Sequence, residues 1–282
     1  MAVGPRGPAG GLRRIRLSAL DCLRYEVHLN GWRILRRTVN DFSLWRLIEY
    51  PTATRMLDLH PGERVLDIGS GTSSYPWMLA RKGAVVVIAE LEEGRVRWQQ
   101  ERARRLGNGA GQVWPVVADA AALPFREGAF DRVSAISSIE HIPDDRAVAR
   151  EIARVLKPGG RAVISVPYTF HERTSFFQGI RDFRRVGRNE FVRERDGGLV
   201  RFYTDGDIEE RFGPAVGCRI LQRHYYGRKV LNDWYHETRL TRYWNTFILK
   251  DLPLAWLVHP FEERFLRRSE PFGIIFLLEK GG

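Results

Sequence analysis

Between residues 64 and 167 the chain alternates short β-branched apolar runs with amphipathic stretches, punctuated by glycine and proline. RVLDI (64–68) lies between HPGE and a glycine turn, and SSYPWMLARKG then reads as a helix closing on Gly83. AVVVIAE is a second run, EEGRVRWQQERARRLG a helix with a charged outer face, GQVWPVVAD a third run and AFDRVSAISS a fourth. DDRAVAREIARVL, acidic at its start and basic at its end, suits the helix dipole, and RAVISVP follows the KPGG turn as a fifth strand. Strands alternating with helices pair in parallel, with both faces of the sheet covered. Such sheets take ligands at the carboxyl ends of their strands, where the winding reverses.

The rest of the composition fits one large α/β domain with additions: 282 residues, of which 44% are apolar. Runs such as AVVVIA and GIIFLL fall far short of the roughly 18 apolar residues of a spanning helix. The N-terminus, MAVGPRGPAGGLRRIR, is rich in Gly and Pro, then basic, with no apolar core behind it. It reads as a disordered tail and not as a signal peptide. Cys22 and Cys218 stand far apart and outside any Cys-x-x-Cys pattern, so neither a disulfide framework nor a metal site is expected. A reducing, cytoplasmic setting is the expectation. The net charge of +11 sits mainly in the flanks, which carry surpluses of +5 (residues 1–60) and +4 (171–282) against +2 between them. RRIR and RDFRRVGRNEFVRER are the densest clusters, and each is as compatible with a solvated face as with an anion site.

The turn after the first strand, VLDIGSGTSS (65–74), is where a nucleotide would sit. Gly69-x-Gly71 allows close backbone approach. A dinucleotide site would prefer glycine at position 74, where Ser stands, and would not place Asp67 beside a pyrophosphate. A cationic ligand reverses that sign. S-adenosylmethionine has an adenosine, no phosphate, a sulfonium and an α-ammonium. Glu90 ends the second strand, 19 residues after Gly71, where a carboxylate can take both ribose hydroxyls, and Asp119 ends the third, placed for an adenine amino group.

VLDIGSGTS, VVADAAALPFREGAFDRVSAISSIEHIPD and REIARVLKPGGRAVISVP together closely resemble class I S-adenosylmethionine-dependent methyltransferases, in particular the quinone-biosynthesis and natural-product branch. The resemblance spans residues 64 to 168. It implies a Rossmann-like, doubly wound α/β sheet of seven strands with the last antiparallel, a helical N-terminal cap and lid insertions. It implies that Asp67, Gly69 and Gly71 wrap the methionine moiety, that Glu90 with neighbouring Leu91 holds the ribose, that Asp119 and the backbone of Ala120 read adenine, and that Ser137 lines the methyl-donor side. Ser73 departs from the family's third glycine, and its hydroxyl could bond the methionine carboxylate instead.

On this reading residues 1–60 are tail and helical cap, and 61–168 the cofactor-binding core. Residues 169–200 are an insertion, 201–226 the core continued, 227–271 an aromatic lid and 272–282 the last strand. YTDGDIEERFG reads as a helix begun by a Thr204–Asp207 capping box, CRILQRHYY as the sixth strand and FGIIFLLEK as the seventh. DFSLWRLIEYPTATRMLDL has helical spacing with a proline break, so that Trp45 and Tyr50 could roof the cofactor. Nineteen of the 32 aromatic residues lie in 171–282, which suggests a pocket for a small-molecule or lipid-like acceptor, although Trp234 and Trp244 taken singly read as packing.

A base is needed only if the acceptor loses a proton. His141, just past the fourth strand, is the first candidate, with a backbone-bonded structural role equally compatible. Tyr168 and His171 after the fifth strand are weaker ones, and His224 and His236 are expected to have ordinary roles. A nucleic-acid methyltransferase is disfavoured, because SSIE stands where base-amino methylation would place an Asn/Asp-Pro-Pro-aromatic turn, and neither cysteine is set for C5-pyrimidine attack. A non-catalytic cofactor-binding module and an acceptor held at an anionic membrane surface by the basic flanks stay open, as do the oligomeric state and the acceptor atom.

Overall fold

The computed structural model describes residues 14–30, 45–106, 112–173, 183–194, 196–227, 271 and 273–282. The tail before residue 14 and nearly all of the aromatic lid, with Trp234, His236 and Trp244, lie outside the described residues.

The five apolar runs form parallel strands β1 (Arg64–Ile68), β2 (Val85–Glu90), β3 (Gln112–Val117), β4 (Phe130–Ile136) and β5 (Leu156–Pro167). A seven-stranded sheet results, ordered β3-β2-β1-β4-β5-β10-β9, with β9 at Cys218–Tyr226 and β10 at Gly273–Lys280. The last strand, β10, lies antiparallel between β5 and β9, so the expected seven-stranded sheet with its reversed final strand is present. Its order reverses between β1 and β4, the switch point at which such sheets take ligands.

Side-chain alternation along β10 explains its burial on both faces. Ile274, Phe276 and Leu278 join the core under α5 (Asp145–Val155) and α6 (Asp205–Phe212). Ile275 and Leu277 join a second core under α2 (Arg46–Leu57) and α3 (Tyr75–Arg81). The capping box at α6 is formed: Thr204 Oγ1 accepts from Asp207 N–H, and Asp207 accepts from the Thr204 N–H. The N-terminal cap consists of α1 (Ala19–Asn30), capped reciprocally by Ser18 and Asp21, and α2. α4 (Glu93–Leu106) packs on β2 and β3.

Three boundaries differ from the sequence reading. Pro51 does not break the second helix: α2 runs through it, because Tyr50, Ala53 and Leu57 are held in the core on one face and that packing outweighs the lost hydrogen bond. β3 stops at Val117, so Asp119 lies two residues beyond the strand. β5 begins at Leu156, ahead of the Lys-Pro-Gly-Gly turn, and meets β4 through a register irregularity between Phe130 and Arg132.

The insertion after β5 contains a separate antiparallel sheet of β6 (Phe183–Gly187), β7 (Glu190–Arg193) and β8 (Leu199–Arg201). Arg201, 4% exposed, fastens it to the core. Its guanidinium donates to the carbonyls of Ile142 and Pro143 and pairs with Asp145 and Glu190.

Candidate functional site

Asp67 stands in β1 opposite Ser134 of β4, and the chain then turns through Gly69 (φ +67°) and Gly71 (φ +55°). Only glycine fits at 69. Beyond the left-handed φ, a Cβ there would lie 2.6 Å from the Cβ of Ser138. Ser138 in turn donates to the Ile68 carbonyl at 2.9 Å, so the turn after β1 and the turn after β4 are locked together.

The carboxylate of Asp67 is buried beneath the turn and accepts from the hydroxyls of Ser70 and Ser134. Burial pushes its pKa up to about 6, against the pull of the two hydroxyls. It is therefore mostly ionised at neutral pH, a negative charge set under a glycine turn. Glu90, at the end of β2, accepts from the Gly71 N–H at 2.8 Å through one oxygen and from the Glu92 N–H at 3.2 Å through the other. Each oxygen keeps a lone pair for a ligand donor. Leu91, 67% exposed, follows at once. Asp119 is exposed, accepts from the Ala121 N–H at 2.8 Å and sits beside buried Ala120. The three carboxylates thus stand at or just past the carboxyl ends of three neighbouring strands.

The turn is also held from behind, by residues that the sequence reading did not single out. Gln99 of α4, wholly buried, donates to the carbonyls of Gly71 (2.9 Å) and Ser73 (3.3 Å) and accepts from Trp77 Nε1 (2.6 Å). Arg102, one helical turn on, donates to the carbonyls of Thr72 and Ser73. Burial lowers Arg102 to about 10, which leaves it charged at neutral pH. Ser73 Oγ meets Tyr50 Oη at 2.8 Å and accepts from the Tyr75 N–H at 3.1 Å. Tyr50 stacks on Tyr75 at 4.7 Å, so it braces the turn. Trp45 packs against Tyr226 at 6.1 Å.

A second cluster lies just past the end of β4 and in the last residues of β5 and β9. Glu49 of α2, 1% exposed, accepts from Ser137 Oγ (2.9 Å), Ser165 Oγ (2.8 Å), Tyr226 Oη (2.5 Å) and Arg46 Nη1 (2.6 Å). Burial opposes its charge, but Arg46 and the three hydroxyls hold its carboxyl below the usual range. Ser137 carries this contact from a left-handed conformation (φ +49°), a strain typical of ligand-facing turns. Glu49 falls on the apolar face of a helical pattern, and that misplaced carboxylate was the one signal available in the sequence.

Among the described residues no hydrogen bond or ring contact joins any two of the three catalytic candidates, although Tyr168 and His171 both pack on Phe170. His141 is exposed and its Nδ1 lies 2.6 Å from the Leu199 carbonyl, which makes Nδ1 the protonated nitrogen and ties the insertion sheet to the core. Tyr168 is buried, donates to Asp205 at 2.8 Å and packs edge-on against Tyr225. Burial and the neighbouring carboxylate drive its pKa upward, away from a phenolate at neutral pH. His171 is exposed beside Phe170. Glu140, adjacent to His141, is 3% exposed, and its Oε2 has no hydrogen-bond partner among the described residues. Burial raises its pKa.

Fold and site together give an α/β domain with the fold of class I S-adenosylmethionine-dependent methyltransferases, its glycine turn ringed by carboxylates and buttressed at its carbonyls. Residues 66–164 match the family model described as a methyltransferase domain. Methyltransferase GfsG of Streptomyces halstedii is 42% identical over 110 residues, 39% of each chain. A demethylmenaquinone methyltransferase of Corynebacterium glutamicum is 37% identical over 131 residues, 46% of this chain and 53% of its own. The chain therefore spans about half the length, or less, of these curated relatives. Among solved structures, the [4+2]-cyclase SpnF superposes with a TM-score of 0.57 at 19% identity, covering 96% of this chain and 99% of the other. A methyltransferase (BH2331) of Bacillus halodurans, itself described as putative, gives 0.56 at 18% identity, covering 83% and 100%. At these identities the structural likeness speaks for the fold.

Proposed function

We propose that the protein transfers a methyl group from S-adenosylmethionine to a small-molecule or lipid-like acceptor by in-line displacement. The observation that carries this reading is the contact of Glu90 with the Gly71 N–H. A carboxylate already occupies the amide that a phosphate-binding turn would offer, so a pyrophosphate is repelled while a ribose diol and a cationic sulfonium are favoured. Because the fold also occurs in a [4+2]-cyclase, methyl transfer is argued from this site and not from the topology.

Asp67, Gly69, Gly71 and Ser73 surround the methionine end in this reading, Glu90 and Leu91 the ribose, Asp119 and Ala120 the adenine, and Ser137 the donor methyl. The cofactor supplies the activated methyl; the protein's share is alignment and exclusion of water. Where the acceptor carries an O–H or N–H, its proton must leave as the new bond to carbon forms. His141 is suited to receive it, because the Nδ1–H bond to Leu199 leaves Nε2 as the basic nitrogen of an exposed ring, whereas the carboxyl of Glu140 is buried. The relatives named as GfsG and demethylmenaquinone methyltransferase support a small-molecule acceptor. Two buried thiols, Cys22 and Cys218, suit a cytoplasmic setting. Among the described residues no helix is long and apolar enough to cross a membrane.

Calorimetric titration with S-adenosylmethionine, its demethylated product and NAD tests the reading. Binding of the first two and not of NAD is expected. Preferential binding of NAD, or no binding of the adenosyl compounds, overturns it.

A further inference from the structure

A cavity of about 370 Å³ opens at the other end of the sheet from the cofactor crevice, beside the start of β5. Its lining combines four guanidinium groups, Arg14, Arg16, Arg55 and Arg161, with a single carboxylate, Asp58, over an apolar floor that includes Met56 and Leu277. Arg14 and Arg16 belong to the RRIR cluster, for which the sequence leaves a solvated face and an anion site equally open.

Three features make this a built site. The segment bearing Arg14 and Arg16 is extended, with Ile15 and Leu17 buried between and after them and the Ile15 N–H bonded to the Leu59 carbonyl at 2.7 Å. That alternation holds both arginines on the exposed side. Asp58 pairs with Arg14 at 2.7 Å and Glu279 with Arg161 at 3.1 Å, while Arg16 and Arg55 have no acidic partner among the described residues. Finally, β9 bulges here. Gln222 pairs with Leu277 and Ile220 with Leu278, so Leu221 is left out of the ladder and lines the cavity, 38% exposed. Bulges of this kind re-aim a side chain at an edge strand.

We infer that this cavity binds an amphipathic phosphoryl anion: a phosphate group held by Arg16 and Arg55, with an attached aliphatic portion against Leu221, Met56 and Leu277. Arg16 and Arg55, left without an acidic partner on the same cavity, repel one another and are relieved by a bidentate oxyanion. Both a soluble phosphate ester and the headgroup region of an anionic lipid have this chemistry.

The test uses the full chain and three probes: inorganic phosphate, short-chain dihexanoyl phosphatidic acid below its micellar concentration, and vesicles of phosphatidylcholine with or without phosphatidylglycerol. The double variant R16S/R55S is compared with R97S/R104S, which removes equal charge from the exposed face of α4, and with the wild type. Expected is binding of the short-chain phosphatidate above that of inorganic phosphate, weakened at least about tenfold in R16S/R55S and retained in R97S/R104S. Parallel loss of sedimentation with phosphatidylglycerol vesicles assigns the site to a membrane headgroup; phosphatidate binding without vesicle binding assigns it to a soluble ester. Failure of every probe to bind, or equal losses in the two double variants, overturns the inference. Binding of the demethylated cofactor is measured on each variant and is expected to be unchanged, so the outcome is separate from that of the methyltransferase reading.

Discussion

Replacing Gln99 by Ala examines whether the cofactor turn is shaped from behind. Gln99 makes three hydrogen bonds in a site closed to solvent, to Trp77 Nε1 and to the carbonyls of Gly71 and Ser73. The truncation leaves the indole N–H and the Gly71 carbonyl without that partner, and each unsatisfied buried group costs about 1–3 kcal/mol. A loss of roughly 3–5 kcal/mol follows, which for a domain of this size lowers Tm by roughly 8–15 °C. Gln99→Glu separates the two ends of the side chain: it keeps an acceptor for Trp77 but sets a carboxylate against two carbonyl oxygens. Differential scanning fluorimetry and calorimetry with the demethylated cofactor give the readout. Both variants should bind it about tenfold to a hundredfold more weakly, the Glu variant more so relative to its loss of stability. Melting within roughly 2 °C of wild type together with unchanged affinity would refute the argument.

Gly69→Ala must adopt a left-handed φ, costing about 1–2 kcal/mol, and displace Ser138; at least a tenfold loss of cofactor affinity is expected by calorimetry. Asp67 gives a pH signature. Its folded pKa of about 6 exceeds the unfolded value of about 3.9, so its contribution to stability is complete below the unfolded value and is lost as pH rises through about 6. Denaturant melts from pH 4 to 7 should show this fall, on the order of 3 kcal/mol, and Asp67→Asn should flatten it. Glu49→Ala removes the pair with Arg46 and the shared acceptor of Ser137, Ser165 and Tyr226 and should cost on the order of 3 kcal/mol, against a smaller loss for Glu49→Gln, which still accepts from the serines and Tyr226. His141→Ala should leave cofactor affinity unchanged while limited proteolysis within 183–201 accelerates, because the Leu199 tie is gone.

The sheet was legible because its signals are local. β-branched runs, glycine stops and the Thr204–Asp207 cap each declare an element within ten residues, and β9 falls at the bounds read from sequence. The strand-end positions of Asp67 and Glu90 were legible for the same reason, since position relative to a strand end is a one-dimensional property, while Asp119 falls two residues past β3. Gln99 and Glu49 were not. Their meaning depends on which side of a helix meets which turn, and a polar residue in a charged helix such as EEGRVRWQQERARRLG looks like solvated surface until its helix is docked. Pro51 misled for the opposite reason: a strong local rule was overridden by packing that joins α2 to strands far along the chain. His141 shows the same limit, because its partner, the Leu199 carbonyl, lies 58 residues away.

The way Arg201 grips the core has a bearing on how such a chain can diversify. Two of its contacts are the peptide oxygens of Ile142 and Pro143, groups that every amino acid possesses. Side chains at those two positions can therefore drift without loosening the small sheet, whereas Asp145, which also receives Arg211 and Tyr203, is fixed by its chemistry. Natural variation around this attachment should spare one carboxylate and one guanidinium and roam freely over the loop between them.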